Sequence, residues 1–312
     1  MFTHLTRQVF LTGVLSPPIL VNGSDPIKTS EYNIQMNQEI DLNMFYMQGG
    51  PGASVANFKG KKINGSMLFF LRINQSNSLE TGVKDIINSG QNYESTISLT
   101  TLLLPYNSNI TAEGNPYTTS TNNFVFDTCL VKSVTISAKD NSDVEVRAEI
   151  LGQNDGENIT PLPDPQDGYS LYRKLNWYDC QFYNNGSQLE TLKEFELKIE
   201  KDIDQKYFLF PYNAPTRYDR PYSSGVKSVT VSFKYVEQVT NIFDVFSYSL
   251  GGYDMSAGLS GNFGPISFTI PDVLLRISTQ SLPSGQILRT TEGFYQMNPL
   301  TPDTNNFLLN VP

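Results

Sequence analysis

Histidine is almost missing from this sequence: His4 is the single one in 312 residues. Catalysis through a Ser–His or Cys–His pair needs an imidazole held by a rigid framework, and a lone histidine near a chain end is expected to sit where little holds it. Nucleophilic chemistry of that kind is excluded, and so is a metal centre built on histidine. Cysteine is nearly as scarce. Cys129 and Cys180 lie in FDTCLVKS and WYDCQFY, with neither the spacing of a zinc knuckle nor the density of a disulfide scaffold. Both are expected to be buried strand thiols of a protein made in a reducing compartment. Basic residues are outnumbered, 22 against 31 acidic, for a formal charge of -9. Affinity for phosphates comes from clustered Lys and Arg, so specific nucleic-acid binding is excluded as well. No apolar run approaches the roughly 20 residues that a membrane-spanning helix needs. RQVFLTGVLSPPILV has the charge order of a leader but lacks a small-residue cleavage site and contains Pro17 and Pro18, so it is expected not to act as one. Six Asn-x-Ser/Thr triplets carry little weight without a secretory signal.

What the chain does contain is Gly, Pro, Asn, Ser and Thr in quantity, with 17 Tyr and 19 Phe against one Trp. That mixture favours strands and turns over helices. The length allows two ordinary domains with cores of their own.

A repeat supports the same division. NGSDPIKTSEYNIQMNQEIDLNMF begins at Asn22 and NGSQLETLKEFELKIEKDIDQKYF at Asn185. Overlaid without a gap they share about seven identities in roughly twenty-four positions: Asn22/Asn185, Gly23/Gly186, Ser24/Ser187, Glu31/Glu194, Ile40/Ile203, Asp41/Asp204 and Phe45/Phe208. Tyr32, Ile34 and Met36 face Phe195, Leu197 and Ile199, and both copies alternate apolar and polar residues with the two-residue period of a half-buried strand. Asn-Gly tolerates positive φ and predicts a hairpin turn that joins RQVFLTGVL or LNWYDCQFY to the alternating strand.

The order of elements continues in parallel. MQGGPGASVANF and FPYNAPTRYDRPYS read as Gly/Pro-rich loops, GKKINGSMLFFLRI and GVKSVTVSFKYVEQ as strands, and SLETGVKDIINSG and TNIFDVFSYSLGG as one helix each, capped in front and closed by glycine. STISLTTLLLPY matches PISFTIPDVLLRI. The stretch NNFVFDTCLVKSVTISAKDNSDVEVRAEILGQ closes the first half as a hairpin turning at Asp140 to Ser142 and has no clear counterpart in the second. The predicted architecture is mainly β, with a first β domain at 1–153, a linker at 154–168 and a second β domain at 169–312.

Candidate sites for chemistry are few. The linker acids Asp155, Glu157, Asp164 and Asp167 depart from the spacing of a calcium loop and read as a solvated linker. GLSGNFG at 258–264 lacks the pattern of a phosphate cradle and reads as a flexible loop. Asp41 and Asp204, kept in both copies, are expected at strand ends or turns, capping backbone N–H groups. No cofactor, metal or catalytic residue is assigned, and the protein is not expected to be an enzyme.

The succession of Gly-rich loop, GKKINGS strand, short helix, hairpin of the VKSVTISAKDNSDVEVRAEILG type and FELKIEKDI strand resembles the tail tube proteins of tailed bacteriophages, in particular those with two tube domains. The resemblance covers most of the chain and rests on diffuse β patterns; the polar stretch from Asn107 to Asn123 departs from it. It implies two tandem tail-tube-like β-sandwich domains, each with one short α-helix, in a virion protein assembled in the host cytoplasm. Such proteins stack rings around a channel through which DNA passes without specific binding. Three chains with two domains each would close a pseudo-sixfold ring, six chains being the other possibility. Partners would be other copies and other tail proteins, with no membrane. On that resemblance the polar sets Asn33, Gln35, Asn37 and Glu196, Lys198, Glu200 are candidates for the lumen. Phe58, Tyr212, Arg217, Tyr218, Arg220 and Tyr222 are candidates for contacts between rings or subunits. A baseplate hub or tail-initiating ring remains an alternative. A monomeric carbohydrate-binding β-sandwich, with Tyr-rich loops stacking on sugars, is a second.

Overall fold

The computed structural model describes residues 3–12, 19–23, 27, 29–47, 50–92, 95–102, 123–152, 154–158, 172–184, 186–190, 192–207, 219–238, 254–256, 259–270, 273–281, 288–297 and 307–312. These residues form a mainly β protein of antiparallel sheets with a single α-helix among them. In chain order the first strands are β1 (Thr3–Thr12), β2 (Ile19–Val21), β3 (Thr29–Met47), β4 (Gly50–Phe70) and β5 (Arg72–Ile73). The helix α1 (Thr81–Gln91) follows, then β6 (Thr96–Leu102), β7 (Asn123–Lys139), β8 (Glu145–Gly152), β9 (Asn154–Asn158) and β10 (Arg173–Lys174). The second half contributes β11 (Cys180–Asn184), β12 (Ser187–Gln188), β13 (Leu192–Tyr207), β14 (Asp219–Gln238) and β15 (Asp254–Ser256). It ends with β16 (Leu259–Phe263), β17 (Ile266–Ile270), β18 (Val273–Ser281), β19 (Leu288–Met297) and β20 (Leu308–Asn310).

One pairing order occurs twice. In the first half the ladders run β3–β4–β8–β7, and in the second β13–β14–β19–β18. Ile34 stands opposite Gly65, and Gly65 opposite Ile150; Leu197 stands opposite Val231, and Val231 opposite Tyr295. A second set of ladders repeats as well: β2–β6–β7–β9 is matched by β11–β16–β17–β20. Val21 and Asn184, each just before an Asn-Gly turn, pair with Leu99 and Leu259, which in turn pair with Phe126 and Ile270.

The hairpin β7–β8 therefore does have a counterpart, β18–β19, and PISFTI matches the start of β7 in place of β6. The sequence hides this because β7 runs unbroken through both sets of ladders, whereas in the second half they are met by two strands, β17 and β18, with Pro271 between them in the sequence. Proline has no N–H to give to a ladder and ends a strand.

Other expectations change too. MQGGPGASVANF is largely strand, for β4 starts at Gly50 and extends the β3–β4 hairpin to the pair Met47↔Gly50. RQVFLT does not lead into the Asn-Gly turn; it lies in β1, which pairs with β3 from Thr12↔Asn33 to Thr3↔Leu42, and the strand before the turn is Ile19–Val21. His4 is likewise in β1, opposite Asp41. Asn154–Asn158, assigned to the linker, form β9 against Asn123–Asp127. Residues 159–168, the polar stretch 107–122 and the expected second helix TNIFDVFSYSLGG lie outside the described residues.

Both Asn-Gly turns take the backbone that their sequence requires, with φ of +70° at Gly23 and +77° at Gly186. GLSGNFG is not a loop. It forms β16 and the turn into β17, with Gly264 at φ +59°. A Cβ on Gly261 would lie 2.6 Å from the Gln181 carbonyl, so glycine there admits β11.

The core is continuous through both halves, from Ile19 and Val21 through Val134 and Ile136 to Leu197, Val231 and Phe268. In the second half Phe195 of β13 stacks on Phe182 of β11 with ring centroids 3.9 Å apart, and Phe263 and Phe268 close round them. That ring cluster faces the β11–β16–β17 ladders onto the β13 sheet. In the first half α1 buries Val83, Ile86 and Ile87, an i, i+3, i+4 stripe.

Gly90, expected behind the helix as its stop, lies inside it. A Cβ there would meet Val134 Cγ2 at 2.4 Å, so the missing side chain sets how closely α1 sits on β7. Gly90→Ala should gain about 1 kcal/mol of helix propensity and lose about 1–3 kcal/mol to overpacking. Overpacking is expected to win, lowering the urea midpoint; a raised midpoint would show that α1 can retreat from β7 at no cost.

Candidate functional site

The junction between the halves is the most developed surface of the molecule. It is a strand ladder, β7 against β13, running from Glu194↔Lys139 to Glu200↔Ser133. Alternation sorts its side chains. Val134, Ile136 and Ala138 of β7 and Phe195, Leu197 and Ile199 of β13 are buried on one face, with Val146, Ala148 and Ile150 of β8 and Val229, Val231 and Phe233 of β14 beside them. On the opposite face Glu196, Lys198 and Glu200 are half-exposed, and so are Thr135 and Ser137. A single sheet thus passes from one half to the other with an apolar side and a polar side.

The polar side is charged but locally balanced. Lys198 pairs with Glu200 at 2.7 Å, Lys139 with Glu194 at 3.0 Å and Lys132 with Glu149 at 3.8 Å. Lys198 is held above the usual lysine range, first by its hydrogen bond to Glu200 and further by the negative charges of Glu200, Glu149 and Glu196. With side chains 36–66% exposed, such pairs add little stability, about 0–1 kcal/mol each. Their effect is to match each of these three lysines with a carboxylate. A shallow open depression of about 290 Å³ lies on it, lined by Asn64, Gly65, Ser66, Lys132 and Glu149. Its one carboxylate is engaged by its one lysine. Among the described residues no three of His, Cys, Asp and Glu converge as metal ligands would.

The apolar side contains one surprise. Lys201 continues the inward phase of Phe195, Leu197 and Ile199 and is only 1% exposed. Its Nζ donates to the carbonyls of Ser89 at 2.7 Å and Asn92 at 3.0 Å, at the C-terminal end of α1. Helix ends leave carbonyls without intrahelical partners and carry partial negative charge, so a cation there is well placed. A lysine from the second half thereby closes the helix of the first, the role that the sequence seemed to give to Gly90. The signal was present in FELKIEK, where a lysine falls on the apolar phase.

A short strap ties the halves a second time. Leu175, fully buried, donates its N–H to the Leu71 carbonyl and accepts from the Val144 N–H, and Trp177 N–H donates to the Ser142 carbonyl. On the other side Gly264 N–H donates to the Asp179 carbonyl. Within the strap Arg173 grips Asp179 through two bonds of 2.9 Å, and Asp179 also accepts from the Asn176 N–H. The Asp179 carboxyl is accordingly held below the usual range, chiefly by the Arg173 hydrogen bonds. Lys174 reaches Asp143 at 2.7 Å and lies 3.9 Å from the centre of the Phe70 ring.

The residues singled out in the sequence fall as follows. Glu196, Lys198 and Glu200 share the polar face of β13. Asn33, Gln35 and Asn37 lie in β3, opposite Ser66, Asn64 and Lys62 of β4 and Thr12, Phe10 and Gln8 of β1. Phe58 is in β4 opposite Ile40; Arg220 and Tyr222 are in β14 opposite Lys206 and Asp204. Tyr212, Arg217 and Tyr218 lie outside the described residues. Asp41 and Asp204 occupy interior ladder positions opposite Asn57 and Tyr222, not the strand ends or turns expected. Neither described cysteine is in a disulfide. Cys129 is fully buried in β7, and Cys180 is half-buried, with burial first and the neighbouring Asp179 second pushing its thiol up to about 12. No described helix is long and apolar enough to cross a membrane. Compared with known proteins, the chain matches no family model and no curated sequence.

Lys201→Met keeps the aliphatic stem and removes the ammonium, leaving two helix carbonyls without this donor. A loss of about 1–3 kcal/mol in urea unfolding is expected; an unchanged midpoint would mean that water replaces the lysine. The strap predicts a pH signature. Because the folded Asp179 lies below its unfolded value, its contribution is present above the ordinary aspartate range near about 3.9 and is lost as pH falls through the folded value. Asp179→Asn should lower Tm at neutral pH, and its gap from wild type should narrow as pH falls below the ordinary aspartate range.

Proposed function

We propose that this chain is a structural protein that assembles with copies of itself into stacked rings, forming the tail tube of a tailed bacteriophage and a conduit for its DNA. On this reading its two halves are tandem β-sandwich domains of one type. The observation that supports it is the β7–β13 ladder. The last strand of one pairing unit joins the first strand of the next, a head-to-tail contact that can be repeated by further units until a rotation closes the circle. Three chains would supply six units.

The polar face of the same sheet suits a lumen. Strand edges that would invite aggregation in a monomer become joints in a closed cylinder. A wall on which Lys198, Lys139 and Lys132 are each matched by a carboxylate weakens the grip that phosphate neutralisation would give, so the duplex can slide. Glu196, Lys198 and Glu200, with their counterparts Asn33, Gln35 and Asn37, are the lumen residues of this assignment.

Electron microscopy of the purified protein tests it. Rings or tubes with threefold symmetry in end-on views are expected. A protein that stays monomeric at all concentrations and binds glycans would overturn the assignment in favour of a carbohydrate-binding module, and rings that never stack would move it to a baseplate hub or tail-initiating ring.

A further inference from the structure

The repeated pairing order has one mismatch, and it lies at an edge. In the second half, the edge of β13 facing away from β14 is taken at Glu194–Glu200 by β7. In the first half, the corresponding edge of β3 is taken by the chain's own β1, antiparallel, from Asn33↔Thr12 to Leu42↔Thr3. β1 therefore occupies on β3 the place that a preceding unit's β7 would occupy.

The counterpart of β7 in the second half is β18. One side of it pairs with β19, through Arg276↔Phe294, Ile277↔Gly293 and Thr279↔Glu292 to Ser281↔Thr290. The other side is covered by β15 only at Val273–Leu275. Among the described residues Arg276–Ser281 has no neighbour on that side, and this is the stretch equivalent to the part of β7 that pairs with β13. Among the described residues, then, one end of the sheet has at Arg276–Ser281 the equivalent of the β7 stretch that pairs with β13, and the other end has the equivalent of the β13 edge, covered by β1.

β1 is suited to leave. It stands at the end of the sheet and is joined to the ladder on one side only. Between it and β2 the sequence carries Ser16-Pro17-Pro18, and proline has no N–H to give to a ladder. A bare β3 edge would expose unpaired N–H and C=O groups to any passing strand, and a cover strand is a general remedy.

We propose that β1 is a displaceable cover, and that the β3 edge beneath it is the docking site for Arg276–Ser281 of β18 from a second copy of this chain. The inference rests on the ring reading and adds its mechanism: each new joint exchanges an internal strand for one supplied by a neighbour, with the strand direction and ladder already rehearsed at β7–β13. The chain would stay closed to unrelated edges until a matching β18 arrives.

The test uses the full-length chain with β1 tied down. Two double variants, Gln8→Cys with Asn37→Cys and Val9→Cys with Met36→Cys, place cysteines at directly opposed positions of adjacent ladder pairs. Hydrogen-bonded and non-hydrogen-bonded pairs alternate in an antiparallel ladder, so one of the two has the closer spacing that a disulfide accepts. The oxidised variant is expected to remain unassembled and its reduced form to build rings; oxidised protein that assembles as fast as reduced overturns the proposal while leaving the ring reading intact. A second readout needs no mutation. Hydrogen exchange at Arg276–Ser281 of the wild type should slow on assembly, and unchanged exchange there in complete rings overturns the docking assignment. Wild-type protein that forms no rings overturns both.

Discussion

One antiparallel ladder, β7 on β13, governs how the rest of the molecule is arranged. Because it joins the halves by backbone hydrogen bonds in register, it fixes which side chains of each half share a face. Phe195, Leu197 and Ile199 then continue the apolar surface begun by Val134 and Ile136, and a single core extends across the boundary. The same register brings Lys201 under the end of α1. A slip of one residue would turn Lys201 outward, present Phe195 to solvent and leave the helix end uncovered. A charged group at that position therefore acts against wrong register, since only one alignment provides its two carbonyl partners.

The repeat is not chemically even, and the departures collect at the joints. The gap-free overlay of the two Asn-Gly segments puts Gln38 where the second half has Lys201. β7 is one continuous strand, whereas its counterpart is two strands, β17 and β18. The strap at Arg173–Asp179 fastens the second half to the turn between β7 and β8. Each device rigidifies the joint within a chain. On the proposed reading, the joint between chains must form from separate molecules and so has reason to be built with less commitment.

Much of the fold could be read from residue patterns. The two-residue alternation located β3 and β13, the Asn-Gly pairs located two turns at positive φ, and SLETGVKDIINSG located α1, although its N-cap is Glu80 without a side-chain bond and Gly90 lies inside it. The failures have physical causes. Gly and Pro in MQGGPGASVANF suggested a loop, but a long two-stranded hairpin tolerates both at its outer end, and pairing overrode local preference there. The β18–β19 hairpin went unmatched because pairing order survives sequence drift that erases identities. Lys201 escaped notice because lysine at an inward position looks like noise until the tertiary fold places a helix end over it. Of the lumen candidates, Glu196, Lys198 and Glu200 were recognisable as one face from spacing alone. The ion pair beside them was not, since Lys139 and Glu194 meet only across the β7–β13 ladder.

The strap has a mechanical consequence. Leu175 and Trp177 bond to the first half, and the Asp179 carbonyl to the second, so a hinge at the boundary would have to break the ladder, the lysine contact and these bonds together. Two halves fastened at three places behave as one stiff plank. In any filament made from such planks, curvature under load has to be taken up at the seams between molecules, and those seams would set how far the whole can flex before it fails.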